Sequence, residues 1–172
     1  MPESSKIVDG FLFMPPALRV WISKDIPDQP FSGKIPWTPL EKSISETTFT
    51  LMTSAGISMK SDAPFDMEGE KAEPTWGDPS YREIPKTATE RDIEVSHLHI
   101  NTAYIKQDIN VVLPLTRFQE FEKEDLIEKL APTCYSYYGF QLDPTALLNE
   151  TMPQVADRMR QESAEAVLLT PT

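Results

Sequence analysis

The side chains best suited to chemistry are His97 and His99, the only histidines in the chain. They fall in residues 92–100, Asp-Ile-Glu-Val-Ser-His-Leu-His-Ile, whose alternation predicts a strand. On a strand, the i, i+2 spacing points both imidazoles to one face, roughly 7 Å apart. That arrangement suits a general acid or base with a helper, or two ligands to a shared metal. Asp108 follows downstream in Lys106-Gln107-Asp108-Ile109-Asn110-Val111. Two histidines and a carboxylate form the protein part of a catalytic zinc or non-haem iron site. In the acid–base reading, Asp108 orients a histidine. Without function, the same residues are strand histidines facing a polar groove or bonded to backbone carbonyls. The single cysteine, Cys134, has no basic neighbour to depress its pKa and reads as a small buried hydrophobe. The aromatics Tyr135, Tyr137, Tyr138 and Phe140 around Gly139 read as core and sheet packing before they read as a pocket wall.

The elements that must position these residues form an α/β pattern. Residues 47–52, Thr-Thr-Phe-Thr-Leu-Met, read as a strand. The small-residue loop Thr53-Ser54-Ala55-Gly56-Ile57 follows it. It lacks the further glycines of G-x-G-x-x-G, and no Walker lysine pattern exists, so a dinucleotide or P-loop site is rejected and no cofactor is expected. Residues 58–90 are long and irregular, with prolines, glycines, Phe65, Trp76 and Tyr81; such a stretch is either a docked functional loop or a meandering surface loop. A helix is expected over 116–130 with Phe118, Phe121, Leu126 and Ile127 on its apolar face, and strand-like 135–140 follows. Asp143-Pro144 is a helix start, and Leu148, Met152, Val155 and Met159 share one face of that helix. Pro153 either kinks it or marks its beginning.

After that helix comes the apolar run 166–169, the pattern of a buried parallel strand. In parallel sheets the ligand crevice lies beyond the carboxyl ends of the strands, so Thr170-Pro171-Thr172 belongs at that lip. A covering helix should follow, and none does. The expected fold is therefore α/β: a single domain with a mainly parallel sheet whose C-terminal part is missing. Residues 1–40, broken by prolines, read as an arm with Trp37 as a packing anchor; residues 41–172 form the incomplete domain. An uncovered sheet face favours association, so a homo-oligomer is expected.

Composition narrows the function. The 172 residues carry a net charge of −11, which repels phosphate backbones and offers no polybasic patch to lipid. Nucleic-acid and membrane partners are not expected. One cysteine rules out an intrachain disulfide. No signal-peptide core or membrane-length apolar run is visible, so the expected location is cytoplasmic.

Several stretches taken together resemble one family. They are Trp37-Thr38-Pro39-Leu40, residues 51–57, Pro64-Phe65-Asp66 through Gly77-Asp78-Pro79-Ser80-Tyr81-Arg82-Glu83-Ile84-Pro85, Val95-Ser96-His97-Leu98-His99 with residues 107–114, and the terminal Val167-Leu168-Leu169-Thr170-Pro171-Thr172. The chain resembles the glycine/sarcosine/betaine/D-proline reductase component B family, the selenoprotein B family, from about residue 35 onward. The resemblance implies reductive cleavage at an activated carbon: a selenolate or thiolate attacks the carbon bearing a nitrogen leaving group, and a thiol system regenerates the site. It also implies a small-molecule substrate, reductase-complex subunits as partners and a thiol electron donor. In the family, selenocysteine or cysteine follows Leu-Leu-Thr-Pro almost at once, and a frame reading the selenocysteine codon as stop would end at Thr172. The chain as written then lacks its nucleophile and is inactive alone, with His97, His99 and Asp108 as the groups that activate or orient. Two rival readings stand beside this one: a non-catalytic binding or scaffold subunit, and a metal-dependent enzyme using His97, His99 and Asp108.

Overall fold

A computed structural model describes residues 10–25 and 37–172, apart from Pro74 and His99. Contacts divide the chain into two units, Met1–Pro36 and Trp37–Thr172. Within the first, a 3-10 turn at Gly10–Phe13 precedes α1 (Pro16–Asp25). Pro16 suits the first turn, where the missing N–H has no partner to lose. The Arg19 guanidinium donates to the carbonyls of Met14 at 2.9 Å and Leu12 at 3.1 Å, tying the turn to the helix.

The second unit is a mixed α/β domain with a mainly parallel sheet. Its elements are β1 (Thr48–Thr53), β2 (Ile57–Met59), α2 (Met67–Ala72), β3 (Tyr81–Pro85), β4 (Ile93–Val95), α3 (Leu115–Lys123), β5 (Lys129–Leu130), β6 (Thr133–Tyr137), α4 (Met152–Gln161) and β7 (Ala166–Thr170). β1 is central. β7 runs parallel along one edge, Phe49 beside Ala166 through Thr53 beside Thr170. β5 and then β6, also parallel, occupy the other edge, and β3 adds antiparallel to β6. β2 and β4 form a separate antiparallel pair. From Phe49↔Leu130 to Met52↔Tyr135, β1 advances three residues and its partner five. The extra length lies at Ala131-Pro132, where proline has no ladder donor to give. Thr50 Oγ1 bridges the gap by donating to the Thr133 carbonyl at 2.9 Å.

Both faces of the sheet are covered at its centre, around β1 and β6. Leu51 packs with Ile84, Leu115, Phe118 and Leu130 on one side, beneath α3. Met52 and Tyr135 pack with Val155 of α4 on the other. Tyr135 is buried there, and among the described residues its hydroxyl has no hydrogen-bond partner. Burial pushes its phenol above the ordinary range, assisted by the Glu162 and Glu83 carboxylates. An unsatisfied buried hydroxyl costs about 1–3 kcal/mol. Tyr135→Phe should therefore stabilise the protein by about 1 kcal/mol, raising the thermal midpoint by roughly 2–4 °C. A lowered midpoint in calorimetry would show that the hydroxyl has a partner in solution.

Several expectations change at this level. Trp37 is 84% exposed and anchors nothing in its unit. The helix expected over 116–130 ends at Lys123; Asp125 turns left-handed (φ 55°) to send the chain into β5, leaving Leu126 exposed and Ile127 buried. The helix after Asp143-Pro144 does form, with Asp143 Oδ1 accepting from the Thr145 N–H at 3.0 Å. Pro153 cannot donate to the turn before it, and Leu147–Thr151 widens into a π-helical turn ahead of α4. That extra width rotates the early face. Leu147 and Thr151 turn inward, Leu148 is exposed, and Met152, Val155 and Met159 keep the expected side. β7 pairs only with β1 among the described residues, so Val167, Leu168 and Leu169 are substantially exposed rather than buried.

The 58–90 stretch is docked. It contains β2, α2 and β3, and one acid holds its middle: Asp78, nearly buried, accepts from the backbone N–H groups of Asp66 at 2.9 Å and Ser80 at 2.8 Å. Arg82 lies 4.3 Å from the centre of the Phe65 ring and donates to the carbonyls of Ala63 and Pro64.

Candidate functional site

The turn after β1 organises the carboxyl end of the sheet. Ser54 N donates to the Thr170 carbonyl at 3.3 Å, and Ser54 Oγ accepts from the Thr172 N–H at 2.9 Å. The Ser54 carbonyl accepts from Gly139 N at 3.0 Å, and Gly56 N donates to the Tyr137 carbonyl at 3.0 Å. The Gly56 carbonyl accepts from Ser96 N at 2.9 Å. Four backbone segments therefore meet here: residues 54–56, 137–139, 96–97 and 170–172. Thr170 Oγ1 also donates to the Val112 carbonyl, which brings in the segment following Asp108. Gly56 is at φ +63°, and a Cβ there would sit 2.4 Å from the Ser96 carbonyl oxygen. Only glycine suits such a position.

His97 stands on this end, half-buried, with its ring edge-to-face against Tyr138 at 5.0 Å between centroids. β4 stops at Val95, so the strand that would have displayed both histidines on one face ends before His97. The Gly56–Ser96 bond fixes the backbone just before this residue, and the Tyr138 ring packs against the imidazole. His99 lies outside the described residues. Asp108 is exposed and begins a short 3-10 turn, Ile109–Val111; its Oδ1 accepts from Asn110 Nδ2 at 2.7 Å and Asn110 N at 2.9 Å. These bonds hold its carboxyl below the usual range. Among the described residues, no group of three acidic, histidine or cysteine side chains is arranged to hold a metal ion.

Two residues join the site without having been singled out as chemical groups. Tyr138 is fully buried, and its hydroxyl donates to Glu70 Oε2. Glu70 is the buried residue of α2, only 3% exposed. Burial first, then the Glu70 carboxylate that takes its hydrogen bond, pushes the Tyr138 phenol above its ordinary range. Tyr138 is also the hub of an aromatic cluster, 6.4 Å from Phe65 and 6.4 Å from Phe140. Tyr138 reads in sequence as packing; nothing in sequence distinguishes Glu70 from the neighbouring Glu68 and Glu73. A cleft of about 370 Å³ lies next to this cluster, lined by Trp76, Gly77, Gln141 and the carboxylates of Glu73 and Asp143. Gln141 connects the two, since its side-chain amide donates to the carbonyls of Tyr138 at 3.0 Å and Asp78 at 2.7 Å.

Cys134 is fully buried in β6, with its thiol pushed up to about 12 by burial. The thiolate is the reactive form, so this cysteine is inert at neutral pH. Cys134 should take up no thiol-specific label at pH 7 in the folded protein and should be labelled once it is unfolded. Rapid labelling of Cys134 in the folded chain, located by peptide mass spectrometry, would overturn this.

The fold and the site together define an α/β protein with a mainly parallel sheet, near whose carboxyl end four backbone segments, a buried acid–phenol pair and a histidine come together. The chain belongs to the glycine/sarcosine/betaine reductase selenoprotein B family, whose model matches residues 27–172. It is similar to the D-proline reductase subunit gamma of Acetoanaerobium sticklandii, with 34% identity over 134 residues, covering 78% of this chain and 52% of that protein. It is also similar to the glycine reductase complex component B subunit gamma of Carboxydothermus hydrogenoformans, with 30% identity over 145 residues, covering 83% of this chain and 32% of that protein. The chain thus spans about half the length of one relative and a third of the other. No solved structure matches. No helix among the described residues is long and apolar enough to cross a membrane.

Proposed function

We propose that this chain acts in a component-B-type reductase, in the reductive cleavage of a small substrate at a carbon that carries a nitrogen leaving group. The observation that carries this reading is the coincidence of the family match with a histidine at the carboxyl end of the parallel sheet. In this reading the substrate carbon is attacked at the lip beside Thr172 and the turn at Ser54. His97 is the acid–base group there, oriented to hand a proton to the departing nitrogen. His99 is the second candidate acid–base group, and Asp108 caps the segment that reaches the end of β7. The attacking selenolate or thiolate is not Cys134, which is buried and protonated. Electrons come from a thiol donor, which is oxidised to the disulfide as the carbon–nitrogen bond is reduced. The partners are further subunits of a reductase complex, by analogy with the relatives' names.

The test uses the native protein isolated with the chains that accompany it. Glycine, sarcosine, betaine and D-proline are each offered with a dithiol, and the freed amine, or for D-proline the ring-opened product, is quantified together with consumption of thiol. Product formation from one of them, in step with thiol loss, is the expected result. A preparation that binds reductase subunits yet turns over none of the four supports a scaffold role instead.

A further inference from the structure

The buried carboxylate of α2 has no evident reason in stability. An apolar side chain of similar volume would fill position 70 without desolvating a charge, and replacements of that kind are commonly neutral or stabilising. What the carboxylate supplies is direction. Tyr138 sits just beyond β6, where its ring meets Phe65, Phe140 and His97. The hydrogen bond to Glu70 anchors the hydroxyl, and so the direction in which the ring packed against His97 points. Behind Glu70, α2 is pinned in turn: Asp66 Oδ1 accepts from Gly69 N at 2.9 Å, and Asp78 holds Asp66 N. A continuous chain of contacts therefore runs from the docked loop to the imidazole.

We propose that Glu70 and Tyr138 are positioning residues for His97: the carboxylate anchors the phenol, and the phenol ring sets the orientation of the imidazole toward the crevice. The proposal rests on the reading of His97 as the acid–base group of the site. Neither Glu70 nor Tyr138 touches substrate; both are buried, and both act through His97.

The experiment follows the ring signals of His97 by NMR in the full chain, assigned by their loss in His97→Gln, beside turnover in the complex and the thermal midpoint. In Glu70→Ala and in Tyr138→Phe, the His97 signals should move toward those of a free imidazole, and kcat should fall about 10- to 100-fold with KM little changed, the scale of a small misplacement. Glu70→Gln retains an acceptor for the phenol and should recover part of both readouts. Tyr138→Phe keeps the ring volume, so it carries the test should Glu70→Ala fold poorly. His97 signals and kcat that stay at wild-type values in Tyr138→Phe overturn the proposal, whatever happens to the midpoint. The failure of the functional reading is distinct: if His97→Ala keeps full turnover, His97 is not the acid–base group, while the NMR comparison still decides whether Glu70 and Tyr138 hold its ring.

Discussion

Replacing Gly56 with alanine should destabilise this protein by about 3–5 kcal/mol, an effect at the exceptional end for a single substitution. Two causes add. The left-handed backbone at φ +63° costs an L-residue with a Cβ roughly 1–2 kcal/mol. The new methyl would also lie 2.4 Å from the Ser96 carbonyl oxygen and 3.0 Å from the Tyr138 ring. Ser96 cannot withdraw cheaply, because its N–H is bound to the Gly56 carbonyl at 2.9 Å, and Tyr138 is held by Glu70. Relief therefore requires opening the junction on which four segments converge. The thermal midpoint should fall by roughly 6–20 °C, given about 2–4 °C per kcal/mol at this size. Denaturant unfolding of Gly56→Ala checks it. A loss below about 1 kcal/mol would mean that the turn can adopt another backbone path, and the site would then be less rigid than its hydrogen bonds indicate.

The second large effect is on activity. His97→Ala should lower kcat in the reductase complex by about 100-fold or more, the usual contribution of a positioned general acid or base. Stability should change little: among the contacts the half-buried imidazole gives up is an edge-to-face one with Tyr138, worth about 0.5–1.5 kcal/mol. The two readouts separate the roles. A catalytic histidine gives a large rate loss with a midpoint shifted by a few degrees at most. A packing histidine gives the reverse, and that outcome would remove His97 from the mechanism. A Gln at position 97 retains hydrogen bonding but cannot exchange a proton near neutral pH, so it should be nearly as slow as Ala.

Much of the scaffold is written in local pattern. The β-branched and apolar composition of residues 47–52 and 166–169 marks β1 and β7, and the helix ahead of β7 returns the chain to run parallel to β1, as β6 does. Asp143-Pro144 marks a helix start because an N-cap and a proline act on the next turn alone. The isolation of Cys134 from any basic residue foretells an inert thiol, which burial in β6 delivers. Each of these depends on neighbours a few residues away, which is the range over which propensity and periodicity carry information.

The site itself was decided by contacts between distant parts of the chain. The alternation over residues 92–100 extends a strand through both histidines, but β4 ends at Val95, because its partner β2 begins only at Ile57, after the left-handed turn at Gly56. The irregular composition of residues 58–90 hides α2 and β3, because their stability comes from Asp78, Arg82 and pairing with β6 rather than from a periodic apolar face. The π-helical turn before α4 exchanges Leu147 for Leu148 at the core, a rotation that a fixed helical period does not contain. Glu70 is the clearest case. In sequence it is one carboxylate among several on a short polar helix, the kind that is ordinarily solvated. Its burial depends on the Tyr138 hydroxyl, 68 positions away, and a hydrogen-bond partner at that separation leaves no mark on the local pattern of either residue. The sequence by itself determined the α/β framework and the chemistry available, since side-chain type and local periodicity are properties of single segments. Which acid is buried, and which histidine it stands behind, only the tertiary structure decided, because desolvation and orientation exist only once the segments have packed together.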